Sequence, residues 1–280
     1  MYKFPIGVML DSFKTDVHSA IKKASELGAK GLQMYATKGE YSPEYMTDSK
    51  IAELLDMVKS YGLCFSALCG DLGRGFGNKE LNPELIEKSK RILDLAVKLG
   101  TDVVTTHIGV VPSNKNHDRY KIMQEACFEL ARYADSLNAH FAIETGPERA
   151  ITLKGFLDDL GSKGVAVNFD PANFVMVTGD DPVKAVYTLS DYIVHTHAKD
   201  GKKLKDVDPE IIYRIIDEEA NSGVSYIELP LGEGDVDFKN YLTALHEIGY
   251  NGFLTIEREV GDNPEADISL AMLYLNNMIK

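Results

Sequence analysis

The sequence predicts a single-domain (β/α)8 barrel, the TIM-barrel fold. Three observations point there. Short apolar runs alternate with amphipathic stretches along the whole chain. Eight such runs can be set out in order, the number that a closed parallel barrel requires. The 280 residues contain no linker, low-complexity tract or charge block that would divide them, and α/β barrels of roughly 250 residues fold as one unit.

The predicted strands are Phe4 to Leu10, Gly31 to Tyr35, Leu63 to Leu68, Asp102 to His107, His140 to Glu144, Val165 to Asp170, Tyr192 to His197 and Phe253 to Glu257. Each is short, rich in β-branched or aromatic residues and bounded by turn formers, as strands of a buried parallel sheet are. The intervening helices read as Asp16 to Leu27, Ser49 to Tyr61, Pro83 to Leu99, Asp118 to Leu137, Ile151 to Leu160, Pro182 to Leu189, Pro209 to Ala220, Phe238 to Ile248 and Glu265 to Ile279. Gly28 and Gly62 follow two of them, where a helix C-cap places glycine. Tyr226 to Leu229 (YIEL) reads as part of a long loop after the seventh strand, a loop that also carries the helix Pro209 to Ala220. A doubly wound open sheet is the competing fold. No GxGxxG follows the first strand, and the Gly-rich run Gly70 to Gly77 lacks the Lys-Ser/Thr of a phosphate loop.

Composition narrows the function. Thirty Lys and Arg against 43 Asp and Glu give a formal charge of −13. Non-specific duplex binding needs the opposite sign, because cations must replace the counterions on phosphate. No run reaches the roughly 18 apolar residues of a membrane span, and the N-terminus lacks the core and cleavage site of a signal peptide. Three cysteines without a CxxC read as reduced thiols in a cytoplasmic protein.

Barrel chemistry gathers where strands end, and here the strand ends are titratable. The fourth strand ends in His107, the fifth in Glu144, the sixth in Asp170, the seventh in His195 and His197, and the eighth in Glu257. Strand residues two apart share a face, so His195 and His197 point the same way, with His197 nearer the mouth. Glu257 and Glu259 are related in the same manner, Glu257 on the inner rim and Glu259 in the following loop. Glu144 to Asp170 spans 26 residues and Asp170 to His197 spans 27, one β/α repeat each. Neighbouring strands lie about 4.8 Å apart, so Glu144, Asp170, His197 and Glu257 can converge. Three carboxylates there repel unless a cation joins them. Oxygen-rich ligation with one imidazole suits Mn²⁺, and also Mg²⁺, Co²⁺ or Zn²⁺.

At these residues the sequence resembles the xylose isomerase-like barrel superfamily, and within it the sugar phosphate isomerase/epimerase family. The resemblance is carried by IETGPE (143–148), NFDPAN (168–173), HTHAKD (195–200), PLGEGDVDF (230–238) and GYNGFLTIERE (249–259). It implies one divalent ion held by Glu144, Asp170, His197 and Glu257. It also implies that the two glutamates work on opposite faces of a sugar carbon. One removes a proton to give a metal-stabilised cis-enediolate, and the other returns a proton. The implied partner is a small ketose, ketose phosphate or related polyol ketone. Relatives are often homo-oligomers, although no segment here marks an interface.

Two positions depart from the ketohexose epimerases of the group. Asn173 stands where they carry histidine, and Lys203 where they carry arginine, which argues against ordinary ketohexose specificity. Further candidates for substrate contact are His107, Lys199 and Glu148, with weaker ones at Asp11, Gln33 and Glu233. Lys199 has an alternative role as a partner of Asp200, and His195 reads as a core or supporting residue. The competing activity is an inosose-type dehydratase that uses the same enolisation and then expels a β-hydroxyl. An abasic-site endonuclease would need more histidines than CGDLG, DPAN and Asp237 offer. A sugar-binding barrel without turnover is a fourth reading.

Overall fold

A computed structural model describes residues 2–212 and 224–280. Eight parallel strands close into a barrel: β1 (Ile6–Met9), β2 (Gly31–Tyr35), β3 (Cys64–Cys69), β4 (Val103–Thr106), β5 (His140–Glu144), β6 (Val165–Phe169), β7 (Ile193–Ala198) and β10 (Leu254–Ile256). Each pairs with its sequence neighbour in the barrel, and β10 closes the ring against β1. Every strand lies inside or within a residue of its predicted run. The helices wrap the outside: α1 (Val17–Glu26), α2 (Asp48–Ser60), α3 (Asn82–Lys98), α4 (Asp118–Leu137), α5 (Ala150–Leu160), α6 (Pro182–Thr188), α7 (Phe238–Glu247) and α8 (Pro264–Ile279). Local sequence sets their limits. Asp16 accepts the Ser19 N–H at the start of α1, and Thr47 accepts that of Lys50 at the start of α2. Gly28 and Gly62 then leave those helices with positive φ.

One expectation fails. Tyr226–Leu229 is not loop but strand β9, paired antiparallel with β8 (Asp200–Lys203) in a two-stranded ribbon beside the barrel mouth. Its apolar residues Tyr226 and Ile227 are exposed while the charged Glu228 is buried, and its partner DGKK has no apolar pattern. The predicted helix Pro209 to Ala220 is helical over Pro209–Ile212, and the remainder lies outside the described residues.

A large apolar core fills the space between strands and helices. All three cysteines are free, with Cys69 and Cys127 buried. No helix among the described residues is long and apolar enough to cross a membrane.

Candidate metal centre

Glu144 is the last residue of β5. Asp170 follows β6, His197 lies near the end of β7, and Glu257 follows β10. The barrel brings all four side chains to one point. Each offers a ligand atom, and the four atoms lie within 4.8 Å of one another. From His197 Nδ1 the distances are 3.3 Å to Glu257 Oε2, 3.7 Å to Asp170 Oδ2 and 3.8 Å to Glu144 Oε1. All four residues are buried.

Two atoms of this cluster are orphaned. Asp170 Oδ2 and His197 Nδ1 are buried without a hydrogen-bond partner, which costs about 1–3 kcal/mol per neutral group and more for a charged one. The remaining atoms of the same residues are well held. Asp170 Oδ1 accepts the N–H groups of Ala172 and Asn173, and His197 Nε2 lies 3.0 Å from Gln33 Oε1. The lone pairs left over point inward together. A hard or borderline divalent cation is what such a donor set accommodates.

Electrostatics divides the two glutamates. Burial pushes the Glu144 carboxyl up, and His107 offsets that only partly, leaving it at about 7. Burial also acts on Glu257, but His197 and Lys199 outweigh it and hold this carboxyl well below the usual range. Lys199 Nζ is 3.0 Å from Glu257 Oε2 and also bonds Glu259. Burial alone would lower the Lys199 pKa, yet its carboxylate neighbours keep the ammonium charged.

A cavity of about 210 Å³ opens onto the cluster. His107 and Lys199 form part of its wall, as the sequence leads one to expect, together with Glu144 and Glu257. His107 Nδ1 is 3.2 Å from Asp71, and Nε2 is 3.6 Å from Glu144. Burial disfavours its charge, but Glu144 and Asp71 raise its pKa to about 9. Glu148 is not on this wall. Its Oε2 accepts the Val111 N–H at 2.9 Å and ties down the loop after β4. Lys199 does not pair with Asp200. That carboxylate instead accepts the N–H groups of Gly201, Gly232, Gly234 and Val236, and so holds the GEGD loop that includes Glu233. Asp11 Oδ2 accepts the Tyr35 N–H.

Sequence reasoning passed over several residues. Tyr35 and Cys69 line the cavity unannounced, beside Asn173, which the sequence singles out. Asn173, the departure from the ketohexose pattern, donates to Glu144 Oε1 at 3.0 Å. Its approach depends on Gly146 (φ +124°), where an added Cβ would lie 2.2 Å from that of Asn173. The other departure, Lys203, lies in the ribbon and pairs with Asp206. Beneath the cluster, Gln33, Thr105, Asn168 and Thr255 are fully buried. They come from the second, fourth, sixth and eighth barrel strands, the alternate-strand pattern of one interior layer. Polar letters at inward positions of apolar runs were the available signal.

Similarity to known proteins agrees with this geometry. The model of the xylose isomerase-like TIM barrel family matches residues 21–278. A xylose isomerase domain protein from Planctomyces limnophilus has 25% identity and a TM-score of 0.79, covering 99% of this chain and 96% of its own. The probable 3-DHS dehydratase AsbF of Bacillus anthracis has 19% identity and a TM-score of 0.76, covering 98% and 99%. A D-tagatose 3-epimerase-like protein has 20% identity and a TM-score of 0.74, covering 98% of both chains. The two most distant of these speak to fold alone. With the family model spanning all but the ends, and a carboxylate–histidine cluster at the strand ends of a closed eight-stranded barrel, the chain belongs to the xylose isomerase-like TIM barrel family.

Proposed function

We propose that the protein is a divalent-metal-dependent isomerase or epimerase acting on a small ketose, ketose phosphate or related polyol ketone. The observation that carries this reading is the convergence of Glu144, Asp170, His197 and Glu257 with two orphaned buried atoms among them. These four residues would hold the ion, Mn²⁺ in first place, with Mg²⁺, Co²⁺ or Zn²⁺ as alternatives. When bound, the ion would supply Lewis-acid polarisation of the substrate carbonyl.

The protein's own groups then divide the proton work. Glu257, kept ionised by Lys199 and His197, is the base that removes a proton from the carbon beside the carbonyl. Glu144, the second glutamate of the cluster, returns a proton to the opposite face. Lys199 and His107 present positive charge to the cavity, where they would offset the negative charge left by proton removal. A cavity of about 210 Å³ matches a small sugar.

The test is a panel of ketoses, ketose phosphates and inososes with Mn²⁺, read by deuterium incorporation from solvent. Glu144→Gln and Glu257→Gln should each abolish exchange while leaving the fold intact. Full activity in both variants would refute the two-carboxylate mechanism. A dehydratase would start with the same proton abstraction, and one structural neighbour is a probable 3-DHS dehydratase. A product lighter by one water would establish that reading over epimerisation.

A further inference from the structure

His197 can ligate an ion through Nδ1 only if its one remaining proton is on Nε2. Two amide side chains compete over that nitrogen. Gln33 Oε1 lies 3.0 Å away and Asn168 Nδ2 lies 3.2 Å away. The first is an acceptor and demands a proton on Nε2. The second is a donor and demands a lone pair there.

The surroundings of Gln33 settle which way its amide faces. Thr105 Oγ1 donates to the Leu68 carbonyl. Its oxygen is therefore free to accept from Gln33 Nε2, at 2.9 Å. That leaves Gln33 Oε1 turned to His197. On the other side, Thr255 Oγ1 meets His195 Nε2 at 2.9 Å, and His195 Nδ1 meets Asn168 Oδ1 at 2.8 Å. In the structure, Asn168 Oδ1 faces His195 Nδ1 and its NH2 faces His197, an arrangement in which His195 Nδ1–H donates to Asn168 and the Thr255 hydroxyl donates to His195 Nε2. Every residue of this hydrogen-bonded series is buried. Once Nδ1 faces an ion, Gln33 Oε1 is the sole acceptor within hydrogen-bond reach of Nε2–H among the described residues.

We infer that Gln33 is a positioning residue of the metal centre: its Oε1 holds His197 in the Nε2–H tautomer and thereby aims the Nδ1 lone pair at the ion. The role places Gln33 one layer below the cavity, touching no substrate. The inference rests on reading the four-residue cluster as a metal centre. A partner that orients a ligating histidine is typically worth 10–100-fold in metal affinity.

The experiment uses the full chain and Mn²⁺ alone as probe, with affinity measured calorimetrically and thermal unfolding measured in chelator. Gln33→Met keeps the volume and removes the acceptor, and should weaken Mn²⁺ binding about 10–100-fold. Gln33→Glu keeps an acceptor and should bind within about threefold of wild type by the same reasoning. The double variant Gln33→Met/Asn168→Asp supplies a new acceptor from the opposite side and should recover most of the affinity. In Zn²⁺-loaded wild type, long-range ¹H–¹⁵N spectra should find the His197 proton on Nε2. Equal Mn²⁺ affinity in wild type and Gln33→Met would overturn the assignment. So would equal losses in Gln33→Met and Gln33→Glu, or a lower unfolding midpoint of chelated Gln33→Met that accounts for the whole loss. Wild-type protein that takes up no Mn²⁺ would overturn the metal reading itself, and is thereby distinguishable.

Discussion

Replacing Glu148 by glutamine should make the protein more stable, and more so as the pH rises. The Glu148 carboxyl is buried, and burial raises its pKa from 4.5 to about 7 against the opposing Val111 N–H bond. The unfolded chain therefore releases this proton near pH 4.5, whereas the folded chain retains it until about 7. A folded-state pKa above the unfolded value means that stability is intact below 4.5 and is lost as pH climbs through 7. At roughly 1.36 kcal/mol per unit, the full loss is about 3.4 kcal/mol. About 0.8 kcal/mol of it is already in place at pH 5, leaving about 2.5 kcal/mol between pH 5 and pH 8. Glutamine keeps an acceptor for the Val111 N–H and carries no charge to desolvate. Its NH2 replaces Oε1, an atom already buried without a partner, so the substitution should gain only about 0.8 kcal/mol at pH 5. Urea unfolding of both proteins in chelator, at pH 5 and pH 8, isolates the effect because every other titrating group cancels in the difference. A stability gap between the two proteins that stays constant across that range refutes the assignment of Glu148 as a buried, desolvated carboxyl.

Gly146→Ala should destabilise by more than about 2 kcal/mol, because φ +124° disfavours a side chain and the new Cβ would overlap Asn173. Denaturant midpoints measure it, and near-wild-type stability would show that the loop can move aside. Asp200→Ala removes one acceptor shared by four backbone N–H groups and should cost about 3 kcal/mol by the same assay. Arg258→Met leaves Glu228, now paired at 2.7 Å, with the Glu259 N–H at 3.1 Å and Lys199 at 3.9 Å, strips Asp267 of its partner at 3.0 Å, and should cost about 3 kcal/mol, with a loss under about 1 kcal/mol arguing that water reaches these carboxylates. Adding Mn²⁺ at 100 times its dissociation constant to chelated wild type should raise stability by about 2.7 kcal/mol, seen as a higher unfolding midpoint. Glu257→Gln at the same Mn²⁺ concentration should gain far less.

The barrel was legible because each strand is buried on both faces and so writes itself as an unbroken apolar run between turn residues. The ribbon was not. Asp200–Lys203 and Tyr226–Leu229 owe their strand form to pairing with each other, and a non-local pairing leaves no local pattern. Glu144, Asp170, His197 and Glu257 could be picked out by position at strand ends. Their convergence follows from barrel closure, which places β7 beside β10 despite the long insertion between them. In the sequence Gln33 is a weak candidate for substrate contact, yet its side chain is buried beneath the cluster against Thr105 and His197. Glu148 lies past the strand end in sequence, but the turn through Gly146 carries it away from the cavity wall.

The polar layer under the cluster also governs where protons can go. At one end it stops on the Leu68 carbonyl, which accepts but has nothing to pass on. At the other it stops on the Thr255 hydroxyl, which meets only His195 among the described residues. Apolar side chains pack around it. The floor of the site is therefore an insulator. A proton taken by Glu257 or given up by Glu144 is exchanged above this layer, on the side of the cluster that carries His107, Lys199 and the substrate cavity.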